Sequence, residues 1–187
     1  MFTPAAAAVL AHVVAGGTIQ WGRPNWWILA ALSAIGEEIG WRGFLWPTLR
    51  GRYSFERSSL VVFAVWWAYH VPLILLGWYG SVGGLPAFTV AIFGFSLFVG
   101  VLTDRSGSLW PSVIAHGAWN GLVATSFAAT KGGKEFPAFA GSDQLLGEFG
   151  WLAAAASLLV GLAAVWWHRR HPMPDRPAQV ISGPLPG

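Results

Sequence analysis

Apolar residues fall into six long blocks separated by short polar breaks: Phe2–Ile19, Trp26–Leu49, Ser58–Tyr79, Pro86–Leu102, Leu109–Ala129 and Leu145–Trp167. Each is close to the ~20 residues that cross a bilayer as a helix, so the pattern predicts an all-α, polytopic transmembrane bundle of about six helices. The first block lacks the basic leader of a signal peptide and is read as a retained helix; the fourth is short and leaves little room for tilt. Two polar stretches stand out, the connection Lys131–Gln144 and the proline-rich tail from His168 to Gly187. The tail has no apolar period and is expected to be disordered. Six helices leave no room for a separate soluble domain, so residues 1–167 form one unit and 168–187 a tail. No internal repeat is visible.

Composition settles the solvent. The 187 residues are 55% hydrophobic and 10% charged, against about 25% charged in a soluble protein, and mean hydropathy is +0.53. The net charge of +3 does not point to nucleic acid, because the basic residues sit at helix ends rather than in a stripe. They report topology instead. With six crossings, Arg50, Arg52, Arg57, Arg105, Arg169, Arg170 and Arg176 share one side, and Arg23, Lys131 and Lys134 the other. The positive-inside rule makes the richer side cytoplasmic, with both termini there, in an integral protein of a bacterial-type cell membrane. Tryptophans at block ends (Trp21, Trp26, Trp27, Trp78, Trp110, Trp166, Trp167) fit the interfacial aromatic belt. The chain has no cysteine, which removes disulfides, thiolate nucleophiles and cysteine metal sites.

Against that background the stretch GEEIGWRGF, Gly36–Phe44, is anomalous. Glu37 lies 11 residues beyond Trp26, which at the helical rise is ~16 Å into a core ~30 Å thick. A charge at that depth costs ~2.5–3.5 kcal/mol on insertion scales. Glu38 and Arg42, at i and i+4, project about 40° apart and can pair. Glu37 projects about 100° from Glu38 and about 140° from Arg42, and so needs another partner. Polar candidates at similar depth are His70, in WWAYHVP, and His116 with Asn120, in AHGAWN; the last two share a helix face.

A single His or Asn in such a helix is more often interhelical glue than chemistry, and a Glu–Arg pair can simply lock a bundle. Two glutamates, an arginine, two histidines and an asparagine on three helices make a functional site the better reading. His12 is expected to pack or snorkel, Glu148 and Asp104 to be interfacial, and His168 and His171 to be solvated in the tail.

EEIGWR matches an EExxxR motif, Trp66–His70 an aromatic-xxx-His motif and His116–Asn120 an HxxxN motif. In this order the three resemble the CPBP family, which unites CAAX prenyl proteases with bacteriocin-processing enzymes. GFLWPTL after the first motif and TDRSGSLWPSVIAHGAWN around the third agree, so the resemblance covers Gly36–Gly121. Tryptophan replaces the frequent phenylalanine at position 66, and only one helix precedes the first motif where many relatives have more. The resemblance implies an intramembrane endopeptidase acting on a peptide or membrane-protein substrate.

The residues make chemical sense of that implication. Amide hydrolysis needs a base for water, donors for the oxyanion and a proton for the leaving amine. Glu37 is the expected base, His70 orients water, His116 and Asn120 face the oxyanion, and Glu38 with Arg42 fixes the helix. The rival is a catalytic zinc held by Glu37, His70 and His116, although no HExxH is present. No cofactor is otherwise implied. Outside this class stand a noncatalytic membrane partner of the same fold, of the bacteriocin-immunity kind, and a proton-coupled transporter, which would be expected to show inverted repeats.

Overall fold

A computed structural model of the chain describes residues 3–14, 24–124, 130–131, 134–135 and 147–172. Within them the backbone forms six helical rods. The first is α1 (Thr3–Val14). In the second, α2 (Pro24–Glu38) passes through a π-helical segment, Ile39–Leu45, into α3 (Trp46–Arg50). The third is α4 (Phe55–Leu75), and the fourth, α5 (Leu85–Ser106), is entered through a 3-10 turn at Val82–Gly84. Next, α6 (Trp110–Trp119) runs into a second π-helical segment, Asn120–Ala124, and α7 (Trp151–Arg170) is the last rod. Thr130–Lys131 and Lys134–Glu135 form a two-residue antiparallel pairing.

Three spans among the described residues are long and apolar enough to cross a membrane: Phe55–Leu75, Val82–Ser106 and Trp151–Arg170. The chain is therefore a helical membrane bundle, as its blocks predict. Its outer surface is apolar, with Leu60, Val61 and Val65 of α4 and Leu159, Leu162 and Trp166 of α7 exposed.

The middle of the bundle is α5, with 67% of its most apolar window buried against 28% for α4 and α7. Small residues bring α5 and α7 together, since without a hydrophobic drive between helices close backbone approach supplies the packing. A Cβ on Gly94 would stand 2.5 Å from the Leu158 backbone, and one on Gly161 would run into the Gly94 carbonyl. Ser157 Oγ donates to the Ala91 carbonyl at 2.8 Å. The core gathered on α5 includes Trp66, Phe88, Phe95, Val99 and Trp119.

Local chemistry sets the helix ends. Ser54 caps α4 by accepting from the Arg57 amide, and Gly107, at φ 67°, closes α5 in the left-handed conformation. That closure comes later than the sequence suggests. The expected fourth segment, Pro86–Leu102, is 22 residues long as Leu85–Ser106.

Asp104 is thus on the last turn of α5, beyond the expected end of the segment at Leu102, and buried. Its carboxylate accepts from Arg50 at 2.8 and 3.3 Å and lies 3.4 Å from His168 Nε2. His168 is accordingly not a solvated tail residue: α7 continues through Arg170, and the His168 ring packs 4.8 Å from that of Phe55. These groups tie the ends of α3, α4, α5 and α7 together. His171 follows the helix, its Nδ1 at 2.9 Å from the Trp167 carbonyl. The His12 side chain, most of the connection Lys131–Gln144 and the tail beyond Pro172 lie outside the described residues.

Candidate active site

Glu37 and Glu38 end α2 where the winding changes, and their side chains part as the helical angles require. Glu38 is fully buried, and its Oε1 accepts from Arg42 at 2.9 Å and from His116 Nδ1 at 2.9 Å. Glu37 is half-buried and its Oε2 accepts from the Trp66 indole at 2.9 Å. The second carboxylate therefore has an ionic partner on its own rod and a histidine from α6, whereas the first has a neutral donor from α4.

Trp66 organises the site. Buried in the core, its ring carries the Arg42 guanidinium at 4.5 Å and lies 5.1 Å from His116 and 6.2 Å from His70. A desolvated cation–π contact of this kind contributes ~2 kcal/mol, which offsets part of the cost of burying Arg42. The other polar neighbour of Arg42 is Ser96 Oγ, at a long 3.5 Å. Sequence reasoning treated Trp66 as a motif landmark. Its role as the hydrogen-bond donor to Glu37 was missed, though the departure from phenylalanine at this position was the available signal.

Histidine geometry follows from acceptors that cannot donate. His70 Nδ1 is 2.9 Å from the Trp66 carbonyl, so Nδ1 carries the proton and Nε2 is left as the acceptor. His116 likewise donates from Nδ1 to Glu38, and can also donate from Nε2 only as an imidazolium. Asn120 Nδ2 reaches Ser33 Oγ of α2 at 3.4 Å. Ser33 is one turn before Glu37, so Asn120 and Glu37 share one face of α2, together with the exposed Gly36 and Gly40. Among the described residues a Cβ on either glycine would meet nothing within 4 Å, so none of them covers that face.

Two of the three motif-bearing rods change to π winding at the site, after Glu38 and after Trp119. π-Helical turns concentrate at functional sites, and here each one begins beside a motif residue.

Among the described residues no three His, Asp or Glu side chains gather into a group able to hold a metal ion. Glu37 accepts from Trp66 through Oε2, and His116 meets Glu38 through Nδ1.

A further carboxylate bonds residues that neighbour the histidines in the fold or along the helix. Glu148 is buried, with Oε1 accepting from Trp119 at 2.7 Å and Oε2 from the Tyr79 hydroxyl. The rule that flags ionisable residues in apolar segments applies to it as much as to Glu37.

Residues 19–122, just over half of the chain, match the family model described as "Type II CAAX prenyl endopeptidase Rce1-like". The chain is 40% identical over 48 residues to a protein of Methanococcus maripaludis named "CAAX prenyl protease 2". That similarity spans 26% of this chain and 18% of the archaeal protein. No solved structure matches the chain.

Proposed function

The chain belongs to the Rce1-like family of type II CAAX prenyl endopeptidases, and on that premise we propose that it hydrolyses a peptide bond at the membrane with Glu37 as the base. One observation carries the choice of base: Glu38 is fully buried on Arg42 and His116, whereas Glu37 is half-buried, on a helix face left uncovered among the described residues, and held by a neutral indole. A base must accept a proton from water and return it. A carboxylate already committed to a guanidinium is the poorer acceptor.

The proposed sequence conserves every atom. Glu37 takes a proton from water, and the hydroxide oxygen bonds to the scissile carbonyl carbon as His70 Nε2 holds the water in line. His116, as imidazolium, donates from Nε2 to the oxyanion, with the Asn120 amide as a second donor; a single such donor is worth about 2.7–4 kcal/mol in barrier. Collapse breaks the C–N bond, and the proton on Glu37 passes to the leaving amine. Glu38 and Arg42 do not exchange protons in this scheme; they fix the rod and the Nδ1 side of His116. The scheme uses no metal.

The proposed substrate is a peptide or membrane-protein segment reaching the Ser33–Gly40 face from the bilayer. A prenylated CAAX end is the specific case suggested by the archaeal relative's name. The distribution of arginines supports cytoplasmic termini and a cytoplasmic location for Arg52. The test is comparative mass spectrometry of membranes carrying the wild-type chain or Glu37→Gln. Cleavage products confined to the wild type are expected, and identical peptide profiles would count against an endopeptidase.

A further inference from the structure

Glu148 lies outside the matched segment and outside all three motifs, yet it bonds a residue of the His116-bearing helix α6 and one of the turn that follows the His70-bearing helix α4. Its Oε1 accepts from Trp119, three residues after His116 on α6, so the two share a helix face. Its Oε2 accepts from Tyr79, whose ring lies 5.4 Å from that of His70.

The turn that presents Glu148 is held in place independently of these bonds. Gly147 has a φ of 82°, and the Gly150 amide closes the turn on the Gly147 carbonyl at 3.0 Å. Phe149 stacks on Phe88 with centroids 4.8 Å apart and planes 12° from parallel. It is seated against Gly80 and Gly84, where a side chain has no room: a Cβ on Gly84 would stand 2.7 Å from that of Phe149. Phe88 in turn packs 5.4 Å from His70.

We propose that Glu148 is a positioning residue for peptide hydrolysis, one carboxylate bridging Trp119 and Tyr79 and thereby setting the separation of His70 from His116. The proposal rests on the reading that both histidines serve hydrolysis. It adds an acidic residue from the start of the last helix to a site otherwise built from α2, α4 and α6. With one oxygen for each arm, loss of the carboxylate releases both histidines together. Glutamine preserves an acceptor for the indole and a polar partner for the phenol.

The experiment is ¹⁵N NMR of the full chain in micelles, labelled at histidine, alongside turnover of a cleaved peptide. Glu148→Ala is expected to shift the imidazole signals of both His70 and His116 while leaving His168 and His171 in place. It should lower kcat at least about tenfold, since two hydrogen bonds are lost and each is worth about 1 kcal/mol, with KM little changed. Glu148→Gln should restore both signals and most of kcat. Should Glu148→Ala not fold, Tyr79→Phe is expected to shift His70 alone and Trp119→Phe His116 alone. Unmoved imidazoles in these variants, or equal shifts at all histidines, would overturn the bridge. The shifts need no turnover, so variants that show them beside a wild type that cleaves no peptide uphold the bridge and remove the proposed activity instead.

Discussion

Glu38 and His116, 78 positions apart in sequence, meet at 2.9 Å on the same carboxylate oxygen that Arg42 uses. That shared oxygen joins two motifs into one buried unit and leaves Glu37 outside it. The other oxygen of Glu38 has no hydrogen-bond partner among the described residues, so the unit is held by one atom.

Removing that atom's charge should therefore be costly to the fold. Glu38→Gln strands Arg42 and loosens His116, and breaking a buried pair costs ~3–5 kcal/mol. A clear fall in melting temperature in detergent is expected. Glu38→Gln combined with Arg42→Met should recover part of it, because the uncompensated guanidinium is gone. A double variant no more stable than the single one would show that the ion pair is not the source of the loss.

Trp66 separates packing from hydrogen bonding. Trp66→Phe keeps an aromatic face for Arg42 and removes the indole donor to Glu37; the fold should survive with activity reduced but measurable. Trp66→Ala removes the face as well, and a buried Trp→Ala change costs ~3–5 kcal/mol. Equal melting temperatures for the two variants would contradict the central place given to the ring.

The α5–α7 seam makes a prediction about backbone approach. Gly94→Ala must push against the Leu158 backbone, which cannot swing aside, and overpacking of this kind costs ~1–3 kcal/mol. Gly83→Ala meets nothing within 4 Å and should leave the melting temperature unchanged. The contrast is read by thermal unfolding of the two single variants.

Topology can be checked on the cysteine-free chain. Arg52 is exposed, and Arg52→Cys is expected to react with a membrane-impermeant thiol reagent only from the cytoplasmic side. Reaction only from the outside would invert the orientation.

Much of the site was legible because the physics is local. An i, i+4 Glu–Arg pair follows from pitch, and the divergence of Glu37 follows from the same pitch. What was not legible depends on tertiary context or on rare winding. No hydropathy window distinguishes the π-helical turns after Glu38 and Trp119, since they need the same apolar residues as an α-helix. Asp104 was assigned to a loop because TDRSGS looks like a break. The break is Gly107, and the turn before it is buried by Arg50 and His168. Glu148 was set aside as interfacial since its donors, Tyr79 and Trp119, are distant in sequence.

The account stands on the division of labour between two adjacent glutamates. The most direct measurement is turnover and melting temperature for Glu37→Gln and Glu38→Gln side by side, in purified protein with a peptide identified from the membrane comparison. Glu37→Gln should keep the wild-type melting temperature and lose hydrolysis, while Glu38→Gln should lose stability together with activity. An active Glu37→Gln beside a stable, inactive Glu38→Gln would assign the base to the buried carboxylate and contradict the scheme.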